Sequence, residues 1–274
     1  ASLTSAVAAV LGFVDISGTG TPLNLADDAA ANVTMLFTTA AFGGPTVSVA
    51  NNGGVGLVPS TGLGAVDNWP LPHVNAFGGN AGMLVYWDDL HETTGNVYYQ
   101  TIGSTPNRTF IVQWDDLEQF NLADGTLNGN EITFEVQIFE TSVGGILAQY
   151  LYADTNFLNA AYNNGASATV GYQRSATSAI QWSLDTAGAV TSGMVISLLV
   201  GDRNGNGRPD DCDPNPPLTA GPPNRNRSLG LSAATATAVP GAIRALRVTM
   251  VDFQNPVAPN LPQNPSPDFS AYEA

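Results

Sequence analysis

Between Glu131 and Phe139 the chain reads Glu-Ile-Thr-Phe-Glu-Val-Gln-Ile-Phe, alternating polar and apolar residues with period two. Successive side chains of a β-strand point to opposite faces, so a run of this kind buries its apolar set only as a half-buried strand. The pattern predicts Ile132, Phe134, Val136 and Ile138 facing a core, with Glu131, Thr133, Glu135 and Gln137 facing water. Residues 109–114, Thr-Phe-Ile-Val-Gln-Trp, alternate in the same way, so Phe110, Val112 and Trp114 are expected on the same buried face. Further strands are predicted at 32–37, 46–50, 83–87, 96–101, 146–152, 168–172, 180–184 and 194–200. Clusters of Gly, Asn and Pro separate them, and no amphipathic helix is evident; residues 153–162 form a helical turn or two at most. Many short strands between turn signals predict an all-β fold, an antiparallel β-sandwich.

Composition narrows the function. All eight basic residues are arginine, and against 23 acidic residues they leave a net charge of −15. Phosphate binding needs a positive surface, so a nucleic-acid partner is not expected. Charged residues make up only 11% of the chain, with Gly, Ala, Asn and Thr in their place. That profile suits an extracellular protein or closely packed subunits. Cys212 is the single cysteine, which excludes an intrachain disulfide framework and a thiolate metal cluster. The apolar run 5–13 is too short to span a membrane and lacks a basic leader. Ala1 therefore reads as a mature N-terminus left by signal cleavage, with secretion as the expectation.

Residues 202–213 carry the clearest chemical signal. Asp202, Asn204, Asn206, Asp210 and Asp213 place side-chain oxygens at loop positions 1, 3, 5, 9 and 12, and Gly207 stands at position 6. Arg208 offers its carbonyl at position 7. A hard cation takes about six to eight oxygen ligands, and this spacing can wrap them around a single Ca²⁺. The competing reading is a polar turn rich in Asn and Gly. The loop resembles those of thrombospondin type-3 repeats and dockerins, where Asp also ends the loop. It departs from the EF-hand there, and Pro214, Pro216 and Pro217 follow in place of a helix. Calcium here would be structural.

A second resemblance runs along the chain. Phe13-Val-Asp15-Ile-Ser-Gly18 leads into Leu25-Ala-Asp27-Asp28, and Asn51-Asn52-Gly53 follows an apolar strand. Then come Val85-Tyr-Trp87-Asp88-Asp89-Leu90, Tyr98-Tyr99, Phe110-Ile-Val-Gln-Trp114, Thr133-Phe134-Glu-Val-Gln137 and Asn164-Gly165. This series resembles nidogen-type (NIDO-like) extracellular modules and their bacterial relatives over roughly residues 13–184. The resemblance implies an extracellular β-module of matrix or adhesion type, without a general enzymatic activity.

The expected organisation is an apolar segment at 1–12, a possible donor strand, then a sandwich at 13–200. The calcium loop at 201–213, a Pro/Asn/Arg linker at 214–227 and a C-terminal β extension at 228–274 complete it. Six of the eight arginines lie between Arg203 and Arg247, so the C-terminal part is locally basic. The pairs Asp88-Asp89 and Asp115-Asp116 offer carboxylates of the kind a glycoside hydrolase uses. Each pair also reads as a turn following a buried tryptophan, or as a second calcium site. His73 and His91 lack zinc-ligand spacing, and no nucleophile elbow, P-loop or dinucleotide fingerprint is present. The expectation is a non-enzymatic, secreted, calcium-stabilised structural protein that self-assembles by strand addition into a filament or surface layer. The alternative is an adhesion module for matrix protein or glycan.

Overall fold

The computed structural model describes residues 12–199, apart from 40, 41, 43, 60–65, 144 and 145, together with two strands further on. The calcium loop Asp202–Asp213 and the 214–227 linker lie outside the described residues. In chain order the strands are β1 (Thr21–Pro22), β2 (Ala30–Thr34), β3 (Thr46–Ala50), β4 (Gly54–Gly56) and β5 (Gly82–Trp87). They continue with β6 (Leu90–His91), β7 (Asn96–Ile102), β8 (Thr109–Gln119), β9 (Glu131–Val143) and β10 (Ile146–Asp154). The last five are β11 (Thr169–Ser175), β12 (Ser178–Leu184), β13 (Met194–Leu199), β14 (Gly230–Thr235) and β15 (Ala245–Leu246).

Two antiparallel sheets form the sandwich. The larger has nine strands in the order β1-β7-β8-β9-β10-β13-β14-β15, with β6 also paired to β8. The smaller has six, in the order β12-β11-β5-β4-β3-β2. Among the described residues the only helical elements are three short 3₁₀ turns, and 153–162 contains none of them. Within the C-terminal extension, β14 pairs with β13 from Met194↔Thr235 to Leu199↔Gly230, and so extends the larger sheet.

The alternating runs produce the inner face as predicted. Phe110, Val112, Trp114, Phe134, Val136 and Ile138 are all fully buried in one cluster with Val47, Val49, Met83 and Val85 of the smaller sheet. Aromatic side chains also tie the two sheets by hydrogen bonds. Trp114 Nε1 donates to the Ala50 carbonyl at 2.8 Å, Tyr150 Oη to Gly171 at 2.9 Å and Tyr152 Oη to Val85 at 2.7 Å. Each gives a buried polar atom its partner and fixes the lateral position of one sheet on the other. Gly53 is one of the places where no side chain fits. Its φ is +76°, and a Cβ there would lie 1.9 Å from the Tyr86 carbonyl oxygen.

Two expectations need correcting. Glu131 is only 8% exposed, and Glu135 and Gln137 do not face water at all, since both are 0% exposed. They do point away from the inner core, as the alternation demands, but residues 12–16 lie over them. Val14 N donates to Glu135 Oε1 at 3.0 Å, Ile16 N to Gln113 Oε1 at 2.6 Å, and Gln137 Nε2 to the Gly12 carbonyl at 2.9 Å. Asp115-Asp116, in turn, does not begin a turn after the strand but interrupts it. The β8–β9 register shifts between Trp114 and Leu117, Asp116 adopts φ +53°, and β8 resumes with Leu117 facing Ile132. This is a β-bulge, an extra residue that lets the strand continue with its apolar face still inward.

Candidate functional site at an acidic cluster

Three segments far apart in sequence meet at one place: the turn before β2, the end of β3 and the β5–β6 connection. Their contact follows from pairing, because β2 lies beside β3 and Asn51, just past β3, donates its backbone N–H to Ala29 at 3.1 Å. Asn52 then bridges the other two. Its Nδ2 donates to Asp28 Oδ1 at 2.9 Å, and its Oδ1 accepts the Leu90 N–H at 3.0 Å. Asn51 Nδ2 reaches the Leu90 carbonyl at 3.1 Å. The result gathers the carboxylates of Asp27, Asp28 and Asp89 within 4.8 Å of one another.

The electrostatics follow from that crowding. Partial burial raises the Asp89 pKa, and the neighbouring charges of Asp28 and Asp27 push it further the same way. His91 opposes them, with its Nε2 3.8 Å from Asp27 Oδ2. Close by in sequence, Glu92 accepts the Leu25 N–H through Oε2, and burial lifts its pKa to about 7. Asp27 and Asp28 are exposed and Asp89 half-buried, so the set is a surface cluster. Carboxylates so placed can hold a hard cation. Exposed acidic groups of this kind are common without one, and the cluster alone does not assign calcium.

The aspartate pairs singled out in the sequence do not converge. Asp88 is 3% exposed, accepts bonds from Ser167 Oγ and the Asp89 N–H, and feels the charges of Asp89 and Asp185. Asp115 accepts from Gln113 Nε2 and feels Asp116 and Asp15 instead. The two pairs have separate partners, Asp88-Asp89 at the β5–β6 connection and Asp115-Asp116 at the bulge within β8. His73 stacks on Trp69, with ring centroids 4.9 Å apart. Asp27 and Asp28 were visible in the sequence only as part of the family resemblance; no spacing rule links them to Asp89. The predicted calcium ligands Asp202, Asn204, Asn206, Arg208, Asp210 and Asp213 fall outside the described residues.

A family model described as NIDO related matches residues 5–209, and the chain belongs to that family. Searches of the curated proteins and of the solved structures found no match.

Proposed function

From membership of the NIDO-related family as premise, we propose that the chain is a secreted, calcium-stabilised structural protein without enzymatic activity. It assembles with copies of itself by strand addition into an extracellular filament or layer. The observation that carries this reading is the state of the smaller sheet's two edges. β2 reads Ala-Ala-Asn-Val-Thr and β12 reads Ser-Ala-Ile-Gln-Trp-Ser-Leu, without a charge or a proline in either. Among the described residues neither strand has a hydrogen-bonded neighbour on its outer side. Sheet edges in proteins that stay apart are blunted by charge, proline or a cover, since open N–H and C=O groups template pairing. Pairing β2 of one copy with β12 of the next is a heterologous contact, which propagates unless its rotation closes a ring.

The test is to place lysines on both edges, Ala30→Lys with Ala179→Lys, and compare the two proteins by sedimentation and negative-stain imaging. The parent is expected to form filaments or layers, and the double variant to stay monomeric with an unchanged melting temperature. Assemblies that persist in the variant remove the edge contact. A parent that is monomeric at every concentration, with or without Ca²⁺, sinks the structural reading and favours an adhesion module for matrix protein or glycan.

The calcium part has its own readout. A ligand that binds only the folded chain stabilises it by about 2.7 kcal/mol at a hundredfold excess over Kd. Chelation is therefore expected to lower the melting temperature, and Asp202→Ala with Asp213→Ala to abolish that shift. An identical melt with and without chelator would remove calcium from the reading.

A further inference from the structure

Where β8 passes into β9, two carboxylates are buried side by side. Glu118 of β8 and Glu131 of β9 stand directly opposite one another across the strand pair, and they are 0% and 8% exposed. Like charges in that position oppose pairing, and a buried carboxylate needs a compensating partner. Neither glutamate is ion-paired among the described residues, where the recorded pairs are His91 with Asp27 and Arg108 with Glu140. His91 faces Glu118 from β6, yet its Nε2 approaches Asp27.

The segment leading to Glu131 reads Asp124-Gly-Thr126-Leu-Asn128-Gly-Asn130-Glu131, with an oxygen-bearing side chain at every second position up to Asn130. It folds onto both carboxylates. Asp124 N donates to Glu118 Oε1 at 3.1 Å, while Asn128 N and Gly129 N donate to Glu131 Oε1 and Oε2 at 2.8 and 2.9 Å. Oε1 thus anchors the Glu118 carboxyl to the start of the loop, and its Oε2 is buried there with no hydrogen-bond partner among the described residues. Asn130 Oδ1 is a second buried acceptor without a partner, its Nδ2 being engaged by the Leu122 carbonyl at 3.4 Å. A neutral donor would satisfy these oxygens and leave the charge uncompensated, whereas a cation answers both needs. Asp27 and Asp28 differ in this respect, because they are exposed to water and Glu118 is not.

We propose that Glu118, Glu131 and Asn130 hold a Ca²⁺ ion at the base of this loop, with further loop oxygens completing its shell. Ligands that are all oxygen suit a hard divalent cation. The ion ties the connection to the two strands that it joins. Only two of the named ligands carry charge, which puts the affinity in the range of about 10⁻⁴–10⁻³ M typical of extracellular modules. The site is separate from the 202–213 loop and from the edge contact proposed for assembly.

Hydrogen exchange read by NMR tests it in the full-length chain carrying Asp202→Ala and Asp213→Ala, so that the outcome does not depend on the 202–213 loop. The probes are the backbone amides of Asp124, Asn128 and Gly129, which are bonded to the two glutamates. In about 10 mM CaCl₂ their exchange is expected to slow roughly tenfold or more relative to EDTA. Glu118→Gln keeps an acceptor for the Asp124 N–H and removes the charge, and it is expected to abolish the slowing. Asp27→Asn with Asp28→Asn is expected to leave it intact. Exchange that calcium does not change overturns the proposal, as does slowing that survives Glu118→Gln or disappears with Asp27 and Asp28. Should Glu118→Gln fail to fold, Asn130→Ala takes its place. That variant is expected to cut the slowing several-fold, and an unaltered response to calcium is equally fatal.

Discussion

Phe134→Ala is expected to destabilise the fold by about 4–5 kcal/mol, at the upper end for truncating a buried phenylalanine. The ring is fully buried midway between the sheets and stacks on Trp114 at 4.9 Å with an interplanar angle of 11°. Tyr86 and Tyr152 close the other sides, with ring centroids at 5.5 and 6.4 Å. The cost of such a truncation depends on how far the neighbours collapse into the space. Here they are held. Trp114 is bonded to the Ala50 carbonyl and Tyr152 to that of Val85, so filling the hole would break inter-sheet hydrogen bonds. Phe134→Leu, which keeps most of the volume, is expected to cost under about 2 kcal/mol. Urea denaturation with an unchanged m-value measures both. A loss below about 2 kcal/mol for the alanine variant would mean that the aromatic layer relaxes freely, against this account of its rigidity.

Stability is also expected to fall as pH rises from about 5 to 8. Burial lifts the carboxyl of Asp88 from an ordinary 3.8, and that of Glu135 from an ordinary 4.5, to about 7 each. Glu92 is raised to about 7 by the same cause, in a more open setting. For a carboxyl whose folded pKa is raised, the folded state holds the proton more tightly than the unfolded chain between the two values. Its contribution is therefore complete below the unfolded pKa and is lost as pH climbs through about 7. At about 1.4 kcal/mol per pH unit, the shifts of Asp88 and Glu135 correspond to roughly 4 and 3 kcal/mol as upper limits. The lowered groups work in a different window. Asp15 and Asp124 are held down by bonds from Ser17 and Thr126, and Glu140 by its pair with Arg108, so their contributions are lost only as pH falls through the ordinary carboxyl range.

Asp88→Asn and Glu135→Gln preserve an acceptor for the Asp89 and Val14 N–H groups while removing the charge. Both variants are expected to melt higher than the parent at pH 8, and together to flatten the decline between pH 5 and 8. A parent that melts at the same temperature throughout that range would refute the buried-charge account.

The sequence by itself determined which segments are strands and which side chains face the inner core. Those properties depend on a local alternation, and in Glu131–Phe139 or Thr109–Trp114 the pattern is complete within a few residues. It also carried the family, through short motifs spaced along most of the chain. Other features needed contacts between distant positions. The burial of Glu135 and Gln137 comes from residues more than a hundred positions earlier, so period two marked them as outward but could not show that this face is covered. The gathering of Asp27, Asp28 and Asp89 depends on β2 lying beside β3 and on Asn52 bridging to Leu90, a matter of strand order invisible in any local pattern. The bulge at Asp115-Asp116 was hidden for a related reason, because a shift of register exists only relative to the partner strand. Alternation selects a face; what lies against that face is decided only when the sheets, the connections and the start of the chain come together.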